Sequence, residues 1–192
     1  MMQSFAVGRL EACQRGAVAA PSLSPAALST CTPVPRLVLP SPNGSTISFA
    51  LKSSGSRVAA GCLRNAGAVA EWLIPQLRRG DSVSVIAAGE RWADDDSLRP
   101  ALEDHLGAGA ILSAIADRGR FAMSPEAGAA LDMFQGSRES LRERVRDSAG
   151  GRELLSKGFG ADVEVASVLD STDVVPVLVG DGFVNSSRRF DP

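Results

Sequence analysis

Short apolar, β-branched runs alternate along this chain with segments whose apolar residues recur every three or four positions. Strands and helices in that order close into a largely parallel or mixed sheet covered on both faces, so the expected fold is α/β with three layers, α/β/α. The clearest strand is SVSVIAA, Ser82 to Ala88, set between Gly80 and Gly89. Before it, Asn65 to Arg79 reads as a helix that Asn65 caps, with Ala66, Val69, Ala70, Leu73 and Leu77 on one side. After it, a long helix is expected from Leu98 to Ala116, with Leu102, Leu106, Ile111 and Ile115 as its apolar side and Pro100 in its first turn. The small residues Gly107, Ala108, Gly109 and Ala110 would let that helix pack closely against a neighbour.

The remaining segments extend the pattern. RLVLP from Arg36 reads as a short buried strand ended by Pro40, followed by the turn-rich Ser41 to Ser45 and a helix from Thr46 to Lys52. Arg57 to Ala60 and Val174 to Val179 read as strands, and so does Val163 to Ser167. Helices are expected at Ser124 to Phe134, Arg138 to Arg146 and Glu153 to Lys157. Residues 1–35 divide into one short helix within 1–20 and a Pro- and Ser-rich linker at 21–35, and the α/β domain occupies 36–192.

The chain's 192 residues suffice for one domain with its own core. Twenty Lys and Arg against 22 Asp and Glu leave a charge of −2, which gives no footprint for nucleic acid or an anionic membrane and points to a small-molecule partner. Cys13, Cys31 and Cys62 are too widely spaced for a C-x-x-C zinc pair or a disulfide framework, which suits a reducing cytoplasm. Arg9, Glu11 and Arg15 interrupt the opening stretch, and no apolar run approaches the length of about 18 residues that a membrane helix needs. Neither a signal peptide nor a membrane span is expected.

In open α/β sheets ligands bind where strands end and helices begin. SPNGS offers Asn43 and Ser45 as donors around Gly44, ahead of a helix whose first N–H groups favour an anion. The same residues also make an ordinary Pro-Asn-Gly turn with a Ser cap, the reading that the local sequence favours. GCLRNA supplies Arg64, a fixed cation for a phosphate or sulfonate oxygen, and Asn65 at a helix start. The Cys-x-x-x-x-x-Arg loop of protein-tyrosine phosphatases would require Arg at position 68, where Ala68 stands. GERWADDDSLRPALED is the densest functional stretch, with Glu90, Asp94, Asp95, Asp96, Glu103 and Asp104 interleaved with Arg91 and Arg99. Such oxygens suit Mg²⁺, which takes one or two carboxylates and completes its shell with water and phosphate. The alternative is a solvated loop, with Glu103 and Asp104 complementing a helix dipole. No Walker or Rossmann glycine pattern occurs, and His105 lacks a phosphohistidine context.

Taken in order, LPSPNGS, AGCLRNAGAVAEWL, VIAAGERW, SLRPALEDHLGAGAI, SPEA, GREL and GF resemble the bacterial branch of the 2-phosphosulfolactate phosphatase family, the ComB-like proteins, from about Arg36 to Phe183. The resemblance implies a Mg²⁺-dependent hydrolase that converts 2-phosphosulfolactate to sulfolactate, a step toward coenzyme M in methanogens, with a related phosphate monoester as the bacterial alternative. By the same resemblance Asn43, Gly44 and Ser45 fall on the family's Asn-Gly-Ser/Thr segment, Asn65 on its Asn-Ala helix start, and Glu103 with Asp104 on its Glu-Asp pair. Asn43, Ser45 and Asn65 are then expected to hold phosphate. Glu90 and Asp104 would be catalytic, Glu90, Glu103 and Asp104 would be metal ligands, and Arg64, Arg91 and Arg99 would meet the substrate's carboxylate or sulfonate. Two departures stand out. The family's Val-Asp-Val-Leu type segment has no counterpart upstream of Arg36, and Asp96 stands where relatives commonly have Gly. A chain shortened at its amino end is therefore expected, with an exposed sheet edge and self-association as consequences. The alternative function is a catalytically reduced phosphate-binding or assembly protein of the same fold.

Overall fold

The computed structural model describes residues 5–6, 23–33, 35–38 and 42–186. Its centre is a stack of three helices: α3 (Ala66–Arg78), α4 (Leu102–Ala116) and α5 (Pro125–Gln135). Leu106 to Ser113 are buried without interruption, because α4 is covered by α3 on one side and α5 on the other. The single apolar side expected for α4 is therefore a buried circumference, while Leu102 at its start remains exposed. Gly109 sits where α5 crosses: an added Cβ would land on the Ala130 carbonyl oxygen and 2.7 Å from the Phe134 Cβ. Ser124 caps α5 by accepting the Ala127 N–H, and Pro125 occupies the first turn, where no donor is needed. α3 ends at Gly80, whose φ of +87° closes the turn that the Arg79 and Gly80 amides start.

Three short helices, α6 (Leu141–Asp147), α7 (Ala149–Ser156) and α8 (Gly160–Ala166), follow as a hook. α8 overturns the strand expected at Val163 to Ser167. The β-branched run there is too short to distinguish strand from helix by pattern, and burial of Asp162 and Val163 against neighbouring helices decides it. Asp162 also fastens the short α1 (Pro25–Leu28), accepting from the Ser24 hydroxyl and, at 3.1 Å, from the Ala26 N–H. A helical turn thus interrupts the expected linker.

The sheets are small. β1 (Phe5–Ala6) pairs in parallel with β2 (Leu37–Val38), and the rest of the helix expected within 1–20 lies outside the described residues. β3 (Glu90–Arg91) and β4 (Leu98–Arg99) form a hairpin, so α4 starts at Leu102 with Pro100 ahead of it rather than within its first turn. β5 (Pro176–Val179) pairs with β6 (Gly182–Asn185), and the expected strand at 57–60 is reduced to an antiparallel bridge between Ala59 and Val177. Residues 82–88 alternate, with Val83, Val85 and Ala87 half-buried and Ser82, Ser84 and Ile86 exposed, but they form no named strand and among the described residues they have no ladder partner. Helices and strands are both present, and among the described residues every named sheet has two strands. α2 (Pro42–Lys52) starts earlier than expected and lies at the edge, where none of residues 43–52 is buried. No helix among the described residues is long and apolar enough to cross a membrane.

Candidate functional site

The start of α2, the base of the β3–β4 hairpin and the first turn of α4 meet at the Gly89 peptide. The Gly89 N–H donates to Asp104 Oδ2 at 2.7 Å, and its carbonyl accepts from Asn43 Nδ2 at 2.9 Å. The same Asn43 nitrogen lies 3.2 Å from Glu90 Oε2. Two side chains singled out by sequence, Asn43 and Asp104, therefore meet at one buried glycine, and a third, Glu90 next in the chain, meets Asn43 there. Gly89 itself was not singled out as a site residue, although it stood at the end of the expected strand. Its φ of +69° is a conformation glycine adopts without strain, and a Cβ there would lie 2.9 Å from Leu98 Cδ1 and 3.1 Å from the Arg99 carbonyl oxygen.

Burial pushes the Asp104 carboxyl above its ordinary range; the Gly89 N–H opposes this, while the charges of Glu103 and Glu90 push it further up and His105 pulls it down. Glu103 points elsewhere. Its carboxylate packs against Gly150 at the start of α7, with Oε2 buried and lacking a hydrogen-bond partner. A cleft of about 140 Å³ lies on that side, lined by Arg99, Glu103 and residues 148–150 among others. Adjacent positions on a helix diverge by about 100°, so the Glu-Asp pair serves two different neighbourhoods.

Arg99 faces Glu90 across the hairpin, bonds Glu153 at 3.3 Å and lies over the Trp92 ring at 5.4 Å. Arg91 is held within the hairpin, donating to the Asp96 carbonyl at 2.6 Å. Gly44 and Ser45 lie in the first turn of α2, where the Gly44 carbonyl accepts from Ser48 and Ser45 is exposed. The structure does not bring Arg64 and Asn65 to Gly89. Arg64 donates to Ser171, and the buried Asn65 side chain bonds the Cys62 N–H and the Ala60 and Val174 carbonyls. Next to them Asp170, at a φ of +48°, accepts the Gly67 N–H at 2.6 Å and so occupies the amino end of α3. Asp170 escaped sequence reading because only its distant partner gives it a role. His105 is exposed, with its ring nitrogen against the Ala101 carbonyl.

Among the described residues no group of three or more His, Cys, Asp and Glu side chains could hold a metal ion. Asp104 on the Gly89 N–H and Glu90, tied to Asn43, put two carboxylates at one residue, and two carboxylates are the number that a largely hydrated Mg²⁺ takes from a protein.

Proteins described as "Probable 2-phosphosulfolactate phosphatase" match from Carboxydothermus hydrogenoformans (32% identity over 157 residues, 80% of this chain), Pseudothermotoga lettingae (28% over 152 residues, 79%) and Deinococcus radiodurans (28% over 156 residues, 81%). In each case the match spans 61% of the relative's own length. The family model for 2-phosphosulpholactate phosphatase matches residues 22–181, which take in the convergence at Gly89 and the helical core beneath it, and on that match the chain belongs to the 2-phosphosulfolactate phosphatase family.

Proposed function

We propose that this chain carries the site of a phosphomonoesterase that hydrolyses 2-phosphosulfolactate, or a related small anionic phosphate ester, with Mg²⁺ as cofactor. The observation that carries the reading is the convergence of Asn43, Glu90 and Asp104 on the Gly89 peptide within a chain of this family. When bound, Mg²⁺ supplies positive charge that neutralises the phosphoryl oxygens as negative charge develops on them. Glu90 and Asp104 are the side chains that would hold it. Asp104 has Oδ2 committed to the Gly89 N–H, which leaves Oδ1 to take a proton from the attacking water. As water oxygen bonds to phosphorus and the ester oxygen departs, that proton passes back to the leaving alkoxide. Ser45 and the first-turn N–H groups of α2 favour the phosphate, and Arg91 and Arg99 the carboxylate or sulfonate. Arg64 and Asn65 act in this reading as ties to the 170–174 loop. A three-layer arrangement around a central sheet remains part of this proposal, as does a reducing cytoplasmic setting, in keeping with Cys31 and Cys62 standing outside any disulfide.

The test is phosphate release from racemic 2-phosphosulfolactate with Mg²⁺ or EDTA, with Asp104→Asn as control. Release that requires Mg²⁺ and falls at least about a hundredfold in the variant supports the assignment. Well-folded protein that binds phosphate without turning substrate over would instead favour a binding role.

A further inference from the structure

We infer that Asn43 is a positioning residue, fixing the Gly89 peptide and the Glu90 carboxylate rather than gripping the substrate's phosphate; the inference rests on the phosphatase reading for its catalytic consequence. The carboxamide of Asn43 is already engaged. Its Nδ2 sits 2.9 Å from the Gly89 carbonyl oxygen and 3.2 Å from Glu90 Oε2, which together use the two hydrogens that nitrogen carries. The Gly89 backbone is consequently held on both sides of its α-carbon, by Asn43 on the carbonyl and by Asp104 on the N–H. Two carboxylates of like charge lie at this residue, Asp104 on its N–H and Glu90 next in the chain, and Asn43 is the neutral donor that touches Glu90.

A donor in this place has two effects. It keeps Glu90 turned toward the start of α2 instead of following the exposed hairpin, and it holds Gly89 at the positive φ from which the hairpin departs. It also separates the roles within the Asn-Gly-Ser segment: Asn43 faces inward to the protein, while Ser45, two positions on, is exposed and faces the solvent from which a substrate arrives. Outer-shell partners of metal-binding carboxylates typically change metal affinity or activity about 10- to 100-fold when removed.

Asn43→Ala and the isosteric Asn43→Asp test this. Both lose the donor, and the second adds a negative charge beside Glu90. Positioning predicts that each lowers kcat about 10- to 100-fold and raises the Mg²⁺ concentration needed for half-maximal rate, while KM changes little. It also predicts that hydrogen exchange in a peptide covering 87–99 quickens roughly two- to tenfold in the substrate-free protein, as loss of a hydrogen bond should cause. A rise in KM alone, with exchange in 87–99 unchanged, would mean that Asn43 contacts substrate and would overturn the inference. Wild-type behaviour of Asn43→Asp would overturn it as well, since that variant keeps the shape, loses the donor and sets a like charge beside Glu90. If the wild type releases no phosphate, the phosphatase reading fails on its own, and the exchange measurement alone decides whether Asn43 positions the Gly89 segment.

Discussion

Asp104 carries a raised pKa because it is substantially buried beside two other carboxylates, and that fixes the sign of its contribution to stability. Between the ordinary aspartate value and the raised one, the folded state binds more protons than the unfolded chain, so stability from this group is present in acid and declines as pH rises through the raised value. Asp104→Asn keeps an oxygen for the Gly89 N–H and removes the charge. The variant should melt no lower than wild type at neutral pH and show a flatter dependence of Tm on pH across the acidic range, while losing phosphate release; a lower Tm at neutral pH would contradict this account. Two backbone positions make opposite predictions. At Gly89, φ of +69° and the proximity of Leu98 and the Arg99 carbonyl mean that Gly89→Ala should cost about 2–3 kcal/mol in urea unfolding. At exposed Asp96, φ of +57° is borne by a residue with a Cβ, so Asp96→Gly should be neutral or stabilise by up to about 1 kcal/mol. That Asn43, Glu90 and Asp104 are candidates was legible from residue type and family pattern. Their meeting point was not, because it is a main-chain peptide of a residue with no side chain.

Among elements, the α4–α5 crossing shows what small residues reveal and what they leave out. Gly107 to Ala110 announced a close approach, and the structure puts the Ala130 backbone and Phe134 over Gly109. Gly109→Ala gains about 1 kcal/mol of helix propensity but forces a methyl onto a carbonyl oxygen that belongs to the backbone of α5 and has little room to yield. A net loss of about 1–3 kcal/mol is expected in denaturant midpoints, and a stabilised variant would show that the helices can separate at little cost. The start of α5 was legible, because a Ser ahead of a helical run marks a cap, as Ser124 does. The misreadings share a cause. Val163 to Ser167 and Ser82 to Ala88 are both short and β-branched, and their final state depends on neighbours: α8 is held by helices packed around it, while 82–88 lays Val85 on the core and, among the described residues, pairs with no strand.

At the scale of the whole molecule, the candidate site lies at the margin of a helical core. Leu106, Ile111, Ile115, Val69, Ala70, Trp72 and Phe134 belong to one buried cluster, whereas α2 and the β3–β4 hairpin, which bring Asn43, Glu90, Arg91 and Arg99, contribute no side chain to it. The alternation of strands and helices correctly indicated mixed structure, but sheet size depends on long-range pairing that local pattern does not encode. This division predicts a gradient of local stability. Amides of residues 106–112 should exchange only through global unfolding, with protection that falls in step with total stability as urea is added. Those of α2 and the hairpin should exchange through smaller openings that respond weakly to urea, because none of residues 43–52 is buried and Trp92 and Leu98 are exposed. Native-state hydrogen exchange read peptide by peptide distinguishes the two regimes. Protection of α2 equal to that of α4 would mean that another surface covers it in solution, and repeating the measurement at tenfold lower protein concentration would then show whether that surface belongs to a second copy of the chain.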